Sequence, residues 1–104
     1  VKRLVVSTAA EADLTAIGRY TADIWGVDQK ARYLGQIRSR FLQLRSKPDL
    51  GRARDEIRHG YRSVSTGRHV IVYREMDDVV EILRILHDRM DLHQQFTDPD
   101  PGSD

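Results

Sequence analysis

The sequence predicts an α+β domain of order β-α-α-β-β-β, with a helical hairpin packed on one face of a small, mainly antiparallel sheet. In the first half, two stretches carry apolar residues at steps of three and four, the period of an amphipathic helix. In the second half, three short β-branched runs are separated by tight turns. The 104 residues suffice for one small core and not two.

Lys2-Arg3-Leu4-Val5-Val6 is short and β-branched and reads as a first strand. Thr8 and Glu11 have the spacing of a capping box, which predicts a helix start there. Ala10, Leu14, Ile17, Thr21 and Ile24 form one helical stripe that ends at Gly26, a natural C-terminal stop. Asp28 is the expected cap of a second helix, whose stripe is Ala31, Leu34, Ile37, Phe41 and Leu44. Pro48 stops it, because the residue before a proline avoids helical geometry. A joint of roughly two residues forces the helices antiparallel, and Arg32, Arg38, Arg40 and Arg45 are expected on the outward face of the second.

Gly51 to His59 is polar and basic, a loop or irregular strand. Tyr61–Ser65, His69–Glu75 and Val79–Leu86 then read as three antiparallel strands, with turns at Thr66-Gly67 and Met76-Asp77-Asp78. In the last strand Val80, Ile82 and Leu86 alternate with Val79, Leu83 and Ile85. Apolar residues on both faces mark it as a central strand; the pattern does not place the first strand. Residues 92–104 are acidic and contain prolines, and are expected to form a flexible tail after a single domain spanning 1–91.

Composition narrows the chemistry. Val, Leu, Ile and Phe number 27, too many for a disordered chain. There is no cysteine, which excludes disulfide scaffolds, thiolate metal sites and thiol nucleophiles. No apolar run approaches the roughly 20 residues of a membrane span, and no signal peptide is read. A soluble cytoplasmic domain, without membrane contact, is the expectation. The net charge of +1 hides an asymmetry: residues 31–74 carry eleven basic and three acidic side chains, residues 75–104 two and nine. A basic middle of this kind suits an anionic partner.

The four histidines lie on different elements without HxxxH or HExxH spacing, so no metal site is expected. Phosphate-loop, dinucleotide and serine-hydrolase signatures are absent as well, and no cofactor is expected. What remains is a set of cations and a histidine on the sheet: Arg62, Arg68, Arg74, Arg84, His87 and Arg89. Such groups have the chemistry to cleave RNA without metal: a base takes the ribose 2′-OH proton, arginines stabilise the phosphorane and an acid protonates the leaving oxygen. Only His87 has an ordinary pKa suited to proton transfer near neutrality. Cation clusters nevertheless bind far more often than they catalyse. Trp25, at the end of the first helix, is either a hairpin-clamping core residue or, if exposed, a protein contact.

The order of motifs resembles the ParE branch of the RelE/ParE toxin superfamily, the toxin half of type II toxin–antitoxin (plasmid-stabilisation) modules. The resemblance runs from about Leu4 to Asp91. It is carried by Ala10-x-x-Asp13-Leu14-x-x-Ile17-x-x-Tyr20, Gly26, Ala31-x-Tyr33 and Ile37-x3-Phe41-x-x-Leu44-x3-Pro48-x-x-Gly51. Tyr61-Arg62, His69-Val70-Ile71-Val72-Tyr73 and Ile82-x-Arg84-Ile85-Leu86-His87-x-Arg89-Met90-Asp91 complete it. It implies a toxin neutralised by a ParD-like antitoxin, with DNA touched only through that antitoxin. Characterised ParE members poison DNA gyrase, whereas RelE-like members cleave messenger RNA on the ribosome; a shared fold does not choose between them. RNA-cleaving relatives usually place an arginine at the position matched by Val70, and an apolar side chain there cannot stabilise a phosphorane. The expected action is therefore gyrase inhibition without intrinsic covalent chemistry. Trp25, Arg62, Arg68, Arg84, His87, Arg89 and Met90 are the expected antitoxin- or target-facing residues. In the alternative, a ribosome-dependent endoribonuclease, His87 transfers protons and Arg62, Arg68 and Arg84 clamp phosphate.

Overall fold

A sheet with an apolar face needs a cover, and here two helices supply it. The computed structural model describes residues 2–97; the Asp98–Asp104 end lies outside the described residues. The elements are β1 (Arg3–Val6), α1 (Thr8–Trp25), α2 (Val27–Ser46), a single 3-10 turn (Pro48–Leu50), β2 (Arg52–Ala53), β3 (Tyr61–Thr66), β4 (His69–Met76), β5 (Val79–His87) and α3 (Leu92–Thr97). The sheet order is β1-β5-β4-β3-β2, with β1 parallel to β5 and every other pair antiparallel. The expected architecture is thus present, and β5 is interior, as its two apolar faces required. The unplaced first strand lies outside β5, and two elements are added: the irregular basic segment contributes the two-residue strand β2, and Leu92–Thr97, expected to begin a flexible tail, forms α3.

Ser7, not Thr8, caps α1: its hydroxyl accepts from Ala10 N–H at 3.0 Å and donates to the Leu83 carbonyl at 2.8 Å. Thr8 is the first helical residue. One cap side chain thereby satisfies a helix end and ties it to β5. The joint between the helices is a single residue. Gly26, at φ 92°, closes α1 by donating to the Ala22 carbonyl and opens α2 directly. Asp28 therefore does not cap; it lies in the first turn of α2, where a carboxylate favours the helix dipole.

The core joins Ala10, Leu14 and Ile17 of α1 with Ile37, Phe41 and Leu44 of α2, laid on Ile71, Tyr73, Val80, Ile82 and Ile85. Ile24, expected in the α1 stripe, is 55% exposed because the hairpin tip overhangs the packed region. Strict alternation put Ile82 and Ile85 on opposite faces, yet both are in the core. The register jumps from Val72↔Arg84 to Tyr73↔Ile82, leaving Leu83 as a bulged extra residue that resets the parity. Leu86 consequently falls on the other face with Val70, its cross-strand partner. On that face Ile57, Val70, Met90 and Leu92 line a small cavity, and Phe96 of α3 meets Tyr61 edge-on at 5.5 Å.

Arg32 and Arg38 are exposed as expected. Arg40 instead folds onto β3, donating to the Ser65 carbonyl at 3.1 Å and Thr66 Oγ1 at 3.2 Å, and so guards a strand edge that β2 does not cover. Arg45 is half-buried, with its Nε hidden from solvent. Among the described residues, no helix is long and apolar enough to cross a membrane.

Candidate functional site

Three rows of residues cross the helix-facing side of the sheet: Arg62–Tyr73–Ile82, Val64–Ile71–Ile85 and Thr66–His69–His87. The first row is closed. Tyr73, fully buried, donates its hydroxyl to the Pro48 carbonyl and accepts from Gly51 N–H, both at 2.7 Å. Gly51 leaves room for this, because a Cβ there would meet the Tyr73 hydroxyl at 2.5 Å. Arg62 reaches the Gly51 carbonyl at 2.8 Å and completes the knot.

The third row is open. Between it and the overhanging hairpin lies a cleft of about 740 Å³. Its floor is apolar, from Ala16 and Ile17 of α1 to Ile85 of β5. Its rim carries Tyr20 and Trp25, 67% and 70% exposed, facing Met90 beyond the end of β5. Arg68, His69, Arg84, His87 and Arg89 line its polar side.

Asp13 of α1 organises that side. It takes Arg84 Nε at 2.8 Å and the second guanidinium nitrogen at 3.0 Å, and its Oδ2 also accepts Ile85 N–H at 2.9 Å. The carboxylate thus closes a β5 backbone donor beyond the end of β1 while holding a bidentate ion pair. This bond keeps the Arg84 guanidinium above its ordinary pKa.

Tyr33 of α2 seals the β3–β4 turn. Its hydroxyl accepts Arg68 N–H at 3.0 Å, and its one proton lies between His69 Nδ1 at 2.5 Å and the Thr66 carbonyl at 3.3 Å. With neutral His69 protonated on Nε2, the Tyr33 proton goes to His69 Nδ1; with the other tautomer, Nδ1–H donates to Tyr33, whose proton then goes to the Thr66 carbonyl. Burial, then the neighbouring His87, holds His69 below the usual histidine pKa, against the opposing pull of Asp88 and Asp13. Burial likewise raises Tyr33. The His87 ring meets His69 edge-on at 5.4 Å, and its Nδ1 lies 3.1 Å from Asp88 Oδ1 and 3.2 Å from Arg89 N. Neutral His87 can therefore accept the backbone donor, while charged His87 pairs with Asp88.

Six of the seven residues expected at a partner-facing surface, Trp25, Arg68, Arg84, His87, Arg89 and Met90, line this one cleft. Arg62 does not. It belongs to the closed row, four residues along β3 from Thr66, about 13 Å at the usual strand rise. The quartet of the ribonuclease alternative is accordingly split: Arg62 is remote, and Arg84 is engaged by Asp13. Among the described residues, the guanidinium groups of Arg68 and Arg89 have no carboxylate within 4.0 Å. No three histidine or carboxylate side chains among them are placed to hold a metal ion. Asp13, Tyr20, Tyr33 and His69 are cleft residues missing from the expected site. All four nonetheless stand in the fragments that carry the family resemblance.

Comparison with known proteins fits this arrangement. Residues 4–92 match the family model described as the ParE toxin of the type II toxin–antitoxin system parDE. Toxin ParE1 of Mycobacterium tuberculosis is 42% identical over 95 residues, covering 90% of this chain and 97% of its own. Toxin ParE1 of Caulobacter vibrioides is 36% identical over 85 residues, covering 82% and 88%. Among solved structures, a chain of the chromosomal ParDE system from P. aeruginosa superposes with a TM-score of 0.72 at 22% identity, covering 83% of this chain and 95% of its own. A chain of the Mycobacterium tuberculosis RelBE2 toxin–antitoxin complex gives 0.60 at 24%, covering 83% and 96%. These last two show the shared fold. The chain belongs to the ParE toxin family of type II toxin–antitoxin systems.

Proposed function

We propose that this toxin is silenced by a ParD-like antitoxin segment seated in the cleft, and that the freed toxin acts by inhibiting DNA gyrase. The observation that carries the reading is the exposed rim of Tyr20, Trp25 and Met90 above an apolar floor, next to the unpaired guanidinium groups of Arg68 and Arg89. Exposed aromatics beside free arginines have the composition of an interface anchor, and water is a poor permanent neighbour for them. A disordered segment that folds on docking would cover the floor with apolar side chains and bring carboxylates to the two arginines. The solved neighbours are named as ParDE and RelBE toxin–antitoxin assemblies, which supports such a partner here. The action needs no bond-making by the toxin itself: it binds its target and is withheld while the antitoxin occupies it.

The test pairs a gyrase supercoiling assay with a translating-ribosome assay on the same purified chain. Blocked supercoiling with intact message is expected. Cleaved message with normal supercoiling would overturn the gyrase reading in favour of the endoribonuclease. Charge reversal at Arg68 and Arg89 together should weaken antitoxin binding or toxicity without unfolding the domain, and unchanged behaviour in both would remove the surface assignment.

A further inference from the structure

We infer that the outward face of α2 is a second binding surface, separate from the cleft, that takes the phosphate backbone of double-stranded DNA. From Gln29 to Lys47 the chain carries six cations and no acidic residue. Among the described residues, none of the six has a carboxylate within 4.0 Å; Arg40 folds onto β3 and Arg45 is half-buried, and Arg32, Arg38 and Lys47 are the exposed cations among them. Helix α2 is 20 residues long, about 30 Å. Its buried stripe of Ile37, Phe41 and Leu44 faces the core, and its exposed residues include Arg32, Arg38 and Lys47 with Gln36, Ser39 and Ser46.

Arginine, lysine, serine and glutamine are the side chains that hydrogen-bond to phosphate oxygens, and a donor-rich surface free of carboxylates meets a polyanion without repulsion. A helix of this length lies comfortably along a duplex groove or backbone. An acidic lipid surface fits less well, since an interfacial helix needs an apolar face and Leu42 is the one large exposed hydrophobic in this stretch. The cleft takes only Gln29 and Tyr33 from α2, so occupation of the cleft leaves the rest of the helix open. Direct DNA contact by the toxin departs from the expectation that DNA is reached only through the antitoxin, and it stands whether or not gyrase is the target.

The experiment titrates a labelled DNA duplex of about 20 base pairs with the full chain, free of partner, and follows anisotropy at about 50 and about 200 mM salt. Three phosphate contacts predict a drop in affinity of about 40-fold between those salts. The triple variant Arg32→Ala, Arg38→Ala, Lys47→Ala should remove at least about ten-fold of the low-salt affinity and most of the salt dependence. The charge-matched triple Arg3→Ala, Arg52→Ala, Arg58→Ala, exposed elsewhere, should bind within about two-fold of the parent if the face and not the net charge is read. Equal losses in the two triples would overturn the proposal, as would no loss in the first. Tighter binding to duplex RNA of the same sequence, to anionic phosphatidylserine vesicles, or equal displacement by poly-glutamate would each overturn the assignment to DNA.

Discussion

The two ends of the helix-facing sheet surface are held by tyrosines working in opposite directions. At the closed end Tyr73 rises from β4 to tie down the exit of α2, and no water reaches it. At the open end Tyr33 descends from α2 to the β3–β4 turn and stays part-exposed on the cleft wall. Both brace the same helix against the same sheet. Only the second leaves space beside it, because the hairpin overhangs the sheet there and its tip residues Tyr20, Ile24, Trp25 and Val27 have nothing to pack on. The first end serves stability; the second holds the surface that another molecule must complete.

Substitutions can break this contrast, and the largest effect should come from the junction between the two ends. Asp13→Ala strands the Arg84 guanidinium and the Ile85 N–H together, and should cost about 2–3 kcal/mol in urea unfolding. A change below about 0.5 kcal/mol would show that water replaces the carboxylate freely. Next, Tyr73→Phe leaves Gly51 N–H and the Pro48 carbonyl without their partner, for a loss of about 2 kcal/mol with antitoxin affinity unaltered. Trp25→Ala should do the reverse: stability within about 0.5 kcal/mol, but antitoxin binding weakened by about 2 kcal/mol, some 30-fold in calorimetry. If both variants moved the same quantity, the division of labour between the ends would fail.

Gly67→Ala sharpens the comparison further. The residue has φ 58°, and an added Cβ would lie 2.6 Å from the Tyr33 ring. A loss of about 1–2 kcal/mol is expected, with faster hydrogen exchange at Arg68 N–H marking release of the latch. The smallest effect is a pH dependence. The unfolded chain protonates His69 near its ordinary value of 6.5, whereas the folded chain resists because of burial and His87. The unfolded state therefore binds more protons, so this contribution is full above about pH 6.5 and is lost as the pH falls. Asp88 and Asp13 moderate it, with Arg84 engaged by the latter. Urea midpoints of His69→Gln should fall less steeply on acidification than those of the parent.

Much of this was readable from residue order because it depends on local pattern. Helical periodicity and three β-branched runs suffice for the hairpin and the meander, and the double apolar face of Val79–Leu86 suffices for an interior strand. What escaped depends on contacts between distant residues. The Leu83 bulge swaps the face of Ile85, and strict alternation has no signal for an inserted residue. The cap moved by one position because Ser7 and Thr8 are both competent, and the Leu83 carbonyl in β5 decides between them. Arg40 and Arg84 look like free surface cations in one dimension; their partners lie 25 and 71 positions away. Arg62 was grouped with the cleft by residue type, and only the strand register separates it. Polar composition hid α3, which has just Leu92 and Phe96 as apolar anchors.

The one-residue joint at Gly26 leaves Trp25 standing in solvent at the mouth of the cleft, and it is the chain's sole tryptophan. Excitation of indole in the unlabelled protein therefore reports from a single known place. A partner that settles into the mouth should shift that emission to the blue and shield it from iodide, whereas one that docks on the far side of the hairpin should leave its colour unchanged.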